Sequence, residues 1–259
     1  MIDLSDKYMS AAIVRRRDYG PTLFSIWIKP PEMLPFKPGQ YVAFGVENQD
    51  KVLERAFSIV SSPLEEELEF FIEMVPEGAL SPKLHELRIG DAVLMRKKAK
   101  GIFNLDLRSG HLKHYLISTV TGIAPYVSMV RTLARDLKAG RVTEPDRLLI
   151  LQGAARSDEF AYDSELVEAA RDFSWVTYVP TISRPWEDPA WPGERGRVDD
   201  LLRKYSDSLD LQPGETTAYL CGNPGMIVNA RDILRRRGYQ QTDIKEETYW
   251  APGEGEVEY

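Results

Sequence analysis

Cysteine and histidine are scarce in this sequence. Among its 259 residues only Cys221 is a cysteine, so the chain cannot form an internal disulfide. A Cys₄ zinc site or an iron–sulfur cluster held by this chain alone is excluded for the same reason. The three histidines, His85, His111 and His114, are too few to favour a histidine-based metal site. We therefore expect no metal.

An excess of basic charge and a long uninterrupted apolar run are also missing. The chain has 33 basic and 40 acidic side chains, a net charge of −7, whereas nucleic-acid-binding proteins are typically basic. The most apolar stretch, Tyr115 to Val130, is interrupted by hydroxyl side chains and is short for a membrane span. The first ten residues lack the apolar core of a signal peptide. These features predict a soluble cytoplasmic protein that binds neither nucleic acid nor membrane.

The composition and length are those of a globular protein with one or two domains. Hydrophobic residues make up 43% and charged residues 28%, which are ordinary values. The first part of the chain has short apolar runs separated by glycine and proline, the pattern of an antiparallel barrel or sandwich. The predicted strands are Ala12–Arg16, Leu23–Lys29, Tyr41–Val46, Ala56–Val60, Leu68–Val75 and Ala92–Met95.

After about residue 110 the pattern becomes an alternation of apolar strands and amphipathic helices, which predicts a parallel sheet covered on both faces. The predicted strands are Tyr115–Thr119, Leu148–Gln152, Trp175–Ile182 and Ala218–Cys221. The first predicted helix begins at Pro125. The other predicted helices span Ser164–Arg171, Val198–Tyr205 and Met226–Arg237. We therefore expect two domains, an antiparallel β-barrel over residues 1–110 and a Rossmann-like α/β domain over residues 111–259.

Two strand ends of the predicted parallel sheet carry loops suited to a nucleotide, because such sheets bind ligands at the carboxyl ends of their strands. One loop contains Thr121-Gly122 before a helix, and the other contains Cys221-Gly222-Asn223-Pro224. A glycine before a helix lets an anionic group approach backbone N–H groups. An ordinary strand–helix connection would carry the same glycines, and a lone cysteine is often a small buried hydrophobe.

The barrel region has two further candidate segments. In Arg55-Ala56-Phe57-Ser58 the arginine and the phenylalanine fall on one strand face, where a guanidinium could hold a pyrophosphate and a ring could stack on a flat cofactor. The segment Gly78-Ala79-Leu80-Ser81 opens a short helix. It could offer N–H groups to a phosphate, or it could be a helix start capped by Ser81.

Taken together and in this order, the four segments resemble the plant-type ferredoxin–NADP⁺ reductase superfamily, specifically its bacterial ferredoxin/flavodoxin reductases. The resemblance runs from about residue 8 to residue 250. It departs from the family at Phe57, where tyrosine is usual, and at Val120, where many members have glycine.

The resemblance implies a bound FAD and NADP(H) as substrate. It implies that Arg55 grips the FAD pyrophosphate, that Phe57 stacks on the isoalloxazine and that Trp250 stacks on the adenine. The implied FAD-binding residues are Arg55, Ala56, Phe57, Ser58, Gly78, Ala79, Leu80, Ser81, Thr121, Tyr249 and Trp250. The implied NADP-binding residues are Thr121, Gly122, Ala155, Arg156, Ser183, Arg184, Arg197, Cys221, Gly222, Asn223 and Pro224.

The resemblance also implies catalysis and a partner. Ser58, Cys221 and Glu247 match the family residues around flavin N5 and nicotinamide C4, where they position the reactants. Single electrons would pass to a small acidic carrier, ferredoxin or flavodoxin. Such a carrier would meet the basic residues Arg96, Lys97, Lys98 and Lys100, which otherwise read as a solvated loop. We expect a monomer.

Three alternatives remain open. The first is the reductase component of an oxygenase, which would use a separate ferredoxin because one cysteine excludes a fused cluster. The second is a nucleotide-binding regulatory module without electron transfer. The third is a flavin or ferric reductase that uses flavin as a loosely bound substrate. The aromatic Trp250, as an adenine partner, argues for tight FAD instead.

Overall fold

The computed structural model describes residues 6–49, 51–107 and 109–249. The predicted contacts of Trp250 and the segment 251–259 lie outside these residues. The described chain forms two compact units. The first comprises the described residues of Met1–Asn104 together with Ala124–Arg135, and the second those of Leu105–Ile123 and Asp136–Tyr259. A cut near residue 110 remains a prediction.

The first unit is built on a six-stranded antiparallel sheet in the order β4-β3-β6-β1-β2-β5. The strands are β1 (Tyr8–Asp18), β2 (Leu23–Lys29), β3 (Tyr41–Asn48), β4 (Lys51–Ser58), β5 (Leu68–Glu73) and β6 (Ala92–Arg96). Beyond β4 the chain bridges to β5, since Ile59 pairs with Phe70 and the Val60 N–H donates to the Glu69 carbonyl at 2.9 Å. This pairing closes the sheet into the predicted barrel around a core that includes Phe24, Phe44 and Phe70.

The second unit is built on a six-stranded parallel sheet in the order β10-β9-β8-β7-β11-β12. Its strands are β7 (Lys113–Thr119), β8 (Arg147–Ala154), β9 (Val176–Ile182), β10 (Glu194–Arg195), β11 (Thr216–Gly222) and β12 (Ile244–Thr248). The central strands β7, β8 and β11 are buried along most of their length, which explains their continuous apolar runs. The predicted α/β class is confirmed.

The helices are α1 (Ser81–Glu86), α2 (Ala124–Lys138), α3 (Asp163–Asp172), α4 (Leu202–Ser208) and α5 (Pro224–Arg236). Two details differ from the sequence prediction. The segment predicted as one helix from Val198 begins with a 3₁₀ turn over Val198–Leu201, so α4 starts later. Ser81 is not the N-cap of α1: Leu80 holds that position, and the Ser81 hydroxyl accepts from the Val75 N–H at 3.0 Å.

Most of α2 clusters with the barrel rather than with the sheet from which it emerges. The Ser128 hydroxyl donates to the Ser61 carbonyl at 2.7 Å, and Arg131 forms an ion pair with Glu69. Glu69 is 1% exposed, so breaking this ion pair would leave a carboxylate buried without its arginine. The buried ion pair thus fixes the first part of α2 within the first unit.

No helix in residues 6–49, 51–107 and 109–249 is long and apolar enough to cross a membrane.

His114 makes the second unit sensitive to acid. Its imidazole is buried in β7, where Nδ1 lies 3.4 Å from the Tyr219 hydroxyl, and burial lowers its pKa from 6.5 to about 4. Between these values the unfolded chain binds a proton that the folded chain does not. The free energy of unfolding therefore falls as the pH drops through this range, by up to about 3 kcal/mol from this residue.

We predict that His114→Asn flattens this part of the pH profile even if it lowers stability at neutral pH. Urea unfolding of wild type and variant, followed by tryptophan fluorescence between pH 6.5 and pH 4, measures the effect. His111→Asn is the matched control, because His111 is only partly buried. Parallel profiles for wild type and His114→Asn would contradict the assignment.

Candidate functional site

In the first unit, β4 presents the predicted Arg55–Ser58 segment next to β3. Arg55 pairs in register with Phe44 and Phe57 with Val42, so the guanidinium and the ring lie on the same face of the sheet as the sequence predicts. Arg55 is exposed, and its Nη1 donates to the neighbouring Glu54 carbonyl at 3.0 Å. Phe57 is half-buried, with its ring 4.5 Å from that of Phe44. The exposed guanidinium therefore lies beside a partly accessible ring. This arrangement suits a ligand that has both a diphosphate and a flat aromatic ring.

The Gly78–Ser81 segment forms a tight turn before α1. The Gly78 N–H donates to the Val75 carbonyl at 2.9 Å, and the Ser81 hydroxyl accepts from the Val75 N–H. Ala79 is exposed and Leu80 is buried in the barrel core. The Ser81 hydroxyl therefore supports the turn.

The loop after β6 has fewer basic side chains available to a partner than the sequence suggests. Arg96 donates from Nε to Glu54 at 2.9 Å and lies over the Tyr8 ring at 4.3 Å. The Glu54 partner raises the pKa of Arg96, so this arginine is a structural cation on the barrel wall. Lys97, Lys98 and Lys100 are exposed and carry the remaining positive charge of the loop.

In the second unit, the two glycine loops at the carboxyl ends of β7 and β11 touch each other. A Cβ at Gly122 would collide with the Cys221 carbonyl oxygen, and one at Gly222 would collide with the Thr119 side chain. Gly222 also has a φ of 121°, which side chains with a Cβ rarely adopt. The Thr119 hydroxyl accepts from the Asn223 N–H at 2.9 Å. The sequence predicted both loops as candidate nucleotide-binding segments, and in the structure they are in contact.

Asn223 and Pro224 start α5. The Asn223 side chain caps the helix by accepting from the Met226 N–H at 3.2 Å, and Pro224 occupies the first turn, where no N–H is needed. Thr121 lies half-buried in the 3₁₀ turn Val120–Ile123 that leads into α2.

Cys221 is the middle one of three residues that lie side by side on neighbouring strands. It pairs in register with Ser118 of β7 on one side and with Glu247 of β12 on the other. The thiol is fully buried, and this burial, with a smaller contribution from Glu247, raises its pKa well above the usual value. Cys221 is therefore a neutral thiol, which is not suited to nucleophilic attack. Tyr249 continues from β12, and its N–H donates to the Gly222 carbonyl at 3.1 Å.

The predicted 2′-phosphate arginines lie at strand ends and are already paired with carboxylates. Arg156 contacts Asp158, Glu159 and Glu187 at 3.3–3.4 Å, and Arg184 contacts Glu187 at 3.5 Å. Arg197 forms an ion pair with a different carboxylate, that of Asp199, at 3.3 Å. Ala155 and Ser183 belong to the same strand ends, where the Ser183 hydroxyl donates to the Ala154 carbonyl at 3.2 Å.

The proline-rich loop 185–193 has two tryptophans with different environments. Trp191 packs 5.5 Å from the Phe160 ring and donates from Nε1 to the Glu194 carbonyl, so it holds the loop down. Trp186 is 72% exposed. The sequence did not indicate that the carboxylates of this loop, Glu187 and Asp188, contact the predicted site residues Arg156 and Arg184 and the neighbouring Ser157. Arg184 and Glu187 are brought together by a turn, in which the Glu187 N–H donates to the Arg184 carbonyl at 2.9 Å.

Val120, the residue that replaces glycine, adopts a φ of 40°. This left-handed conformation is costly for a β-branched side chain, by about 1–2 kcal/mol. Val120 also packs against Ala154, Phe160 and Ile182. Packing thus offsets the strain, and the loop keeps the backbone shape that glycine would adopt freely.

We predict that Val120→Gly destabilises the protein by at least about 1 kcal/mol less than Val142→Gly, because it relieves the left-handed strain. Val142 is half-buried in the same unit and has no positive φ. Urea unfolding of both variants gives the comparison. Equal losses would mean that the Val120 backbone is unstrained.

Two family models match this chain. The oxidoreductase FAD-binding domain model matches residues 22–103, which lie in the first unit. The oxidoreductase NAD-binding domain model matches residues 116–232, from β7 to the middle of α5.

Known proteins match over most of the chain. The ferredoxin–NADP reductase of Azotobacter vinelandii is 30% identical over 231 residues, covering 83% of this chain and 84% of that protein. The reductase component of phenol 2-monooxygenase from Pseudomonas sp. (strain CF600) is 32% identical over 242 residues, covering 92% of this chain but 64% of that protein. A crystal structure of a ferredoxin NADP⁺ reductase from Neisseria gonorrhoeae, with bound FAD and NADP, matches with a TM-score of 0.82 at 24% identity. It covers 94% of this chain and 99% of that one.

The sequence similarity to the Azotobacter reductase covers 83% of this chain and includes both domains. It agrees with a barrel that exposes Arg55 beside Phe57 and with a parallel sheet whose two glycine loops meet at its carboxyl edge. This chain belongs to the ferredoxin/flavodoxin–NADP reductase family of FAD-dependent oxidoreductases.

Proposed function

We propose that this protein exchanges hydride between NADP(H) and a bound FAD and exchanges single electrons with ferredoxin or flavodoxin. The observation that carries the proposal is the meeting of the two loops at Gly122 and Gly222, directly above the row of Ser118, Cys221 and Glu247. Glycine at both positions lets the two loops pack together at the carboxyl edge of the sheet, which is where parallel sheets bind nucleotides. We also propose that the protein is a monomer and works in the cytoplasm.

The residues of the first unit fit FAD. Arg55 would bind the pyrophosphate with its exposed guanidinium, Phe57 would stack on the isoalloxazine, and the buried Ser58 would lie near N5. The turn Gly78–Ser81 would complete the pyrophosphate site. Bound FAD supplies both hydride acceptance and single-electron release.

The residues of the second unit fit a nicotinamide nucleotide. Thr121, Gly122 and the segment from Cys221 to Pro224 would surround the nicotinamide end. Cys221 and Glu247 would help to orient the ring, since the buried neutral thiol places no competing charge beside it. Arg156 and Arg184 would bind the 2′-phosphate.

The carrier proposal rests on Lys97, Lys98 and Lys100, three exposed cations in four residues. Exposed lysines steer an acidic partner by long-range attraction while contributing little to the affinity of the final complex. Such a surface suits the brief encounters of electron transfer.

A second candidate function is the reductase component of an oxygenase. The match to the phenol 2-monooxygenase component favours it, because that relative covers 92% of this chain. The single cysteine of this sequence cannot hold an iron–sulfur cluster, so the oxygenase role would require a separate ferredoxin. Reduction of an isolated ferredoxin with and without a purified oxygenase separates the two roles.

We predict that the purified protein carries FAD and that anaerobic NADPH bleaches its flavin absorbance. Arg55→Ala should weaken FAD binding at least about tenfold, because charged hydrogen bonds contribute about 1.5–3 kcal/mol each. Arg88→Ala, an exposed arginine of the same unit, is the matched control. Flavin-free protein that turns over only with added flavin would replace the proposal by a flavin-substrate reductase.

We predict that the double variant Lys97→Glu, Lys98→Glu slows electron exchange with a small acidic ferredoxin by about tenfold at low salt. Electron transfer to a small uncharged quinone should stay unchanged, because the quinone has no charge to steer. Stopped-flow absorbance measures both rates.

The matched control is Lys83→Glu with Arg88→Glu, which changes the net charge equally at and after α1. A similar loss of rate in both double variants would assign the effect to overall charge and remove the lysine loop as the docking site.

A further inference from the structure

The arginines at the ends of β8 and β9 share one carboxylate. Glu187 lies between them, with Oε2 at 3.4 Å from Arg156 Nη1 and Oε1 at 3.5 Å from Arg184 Nη1. A carboxylate that bridges two guanidinium groups occupies the position that a phosphate takes between paired arginines. Glu187 thus acts as an internal substitute for an anionic ligand.

The backbone donors at the same strand end are also occupied. The Ala155 N–H donates to Glu159 at 2.9 Å, and the Ser157 N–H donates to Asp188 at 3.2 Å. The Ser157 hydroxyl binds Asp188 as well. Backbone N–H groups beside an arginine are the usual contacts of a bound phosphate. Here acidic side chains already satisfy them.

The local charge is negative despite the arginines. Arg156 and Arg184 contribute two positive charges, whereas their surroundings contribute the four negative charges of Asp158, Glu159, Glu187 and Asp188. These side chains are partly exposed, so each ion pair is individually weak. A 2′-phosphate dianion would nevertheless have to enter a region of net negative charge and displace Glu187.

We propose that Glu187 is a specificity-determining residue that reduces the preference for NADPH, so that the site accepts NADH with comparable affinity. The inference rests on the proposed function, since it concerns the nucleotide of the same site. NADPH must exchange its phosphate for Glu187 on both arginines. NADH leaves the ion pairs intact, and a carboxylate can accept a hydrogen bond from its ribose 2′-hydroxyl.

The test measures binding of 2′-phospho-AMP and of AMP to the holoenzyme by calorimetry. In wild type the two dissociation constants should differ by less than about tenfold. Glu187→Gln keeps the shape of the side chain and removes its charge. It should tighten 2′-phospho-AMP about tenfold, which is about 1.4 kcal/mol, and leave AMP within about twofold. Glu168→Gln is the matched control, because Glu168 is an exposed residue of α3 with the same change of charge.

The double variant Arg184→Ala, Glu187→Gln checks the route of the effect. If Glu187 acts by occupying the arginines, its substitution gains much less in the Arg184→Ala background, because the two changes are coupled. Steady-state kinetics should show the same pattern, with the ratio of KM for NADPH to KM for NADH falling in Glu187→Gln.

The outcomes separate the inference from the proposed function. Equal gains for both mononucleotides, no gain for 2′-phospho-AMP, or the same gain in Glu168→Gln would overturn the role of Glu187 while the enzyme assignment stands. If neither mononucleotide binds wild type, and neither NADPH nor NADH bleaches its flavin, then the proposed function itself fails and the inference fails with it.

Discussion

The close approach of the β7 and β11 loops is the constraint on which the second unit's functional edge depends. Both glycines are required by space: a Cβ on Gly122 would collide with the Cys221 carbonyl, and one on Gly222 would collide with Thr119. With the loops in contact, the Thr119 hydroxyl can bind the Asn223 N–H, and α5 can begin with its own cap at Asn223. Ser118, Cys221 and Glu247 lie side by side on β7, β11 and β12, and Ser118 and Cys221 immediately precede the contacting residues Thr119 and Gly222. The loop contact and the helix start therefore depend on two residues without side chains, while the strand register places the thiol and the carboxylate beside them.

The same edge shows how one departure from the family pattern is tolerated. Val120 keeps a left-handed backbone although it has a branched side chain. Its packing against Phe160 and Ile182 recovers apolar contact that glycine would lack. The strain is thus local to one residue, and the neighbouring Thr121-Gly122 keeps the geometry that the loop contact needs. A substitution that looks disruptive in the sequence is compatible with the loop because its cost and its gain are of similar size.

Local patterns in the sequence predicted the architecture, because alternation, helical spacing and two-sided apolar strands are short-range signals. The barrel, the parallel sheet and the shared face of Arg55 and Phe57 were all predictable in this way. Contacts between distant residues were not. Arg96 looked like a free cation, yet it binds Glu54, 42 residues earlier. Most of α2 clusters with the barrel through Arg131 and Glu69, 62 residues apart. No local pattern reports which distant carboxylate a cation will meet.

Charge pairing also distinguishes two groups of basic residues at the candidate sites. Arginines at the strand ends are held by carboxylates, whereas the lysines after β6 are exposed. A planar guanidinium suits a fixed bidentate site, and a hydrated ammonium suits a long-range field. Because Glu187 already pairs with both arginines, a nucleotide phosphate bound there would exchange with a carboxylate rather than fill an empty positive pocket. An exchange has a small net free energy, so a single carboxylate can set which nucleotide is preferred without altering the fold around it.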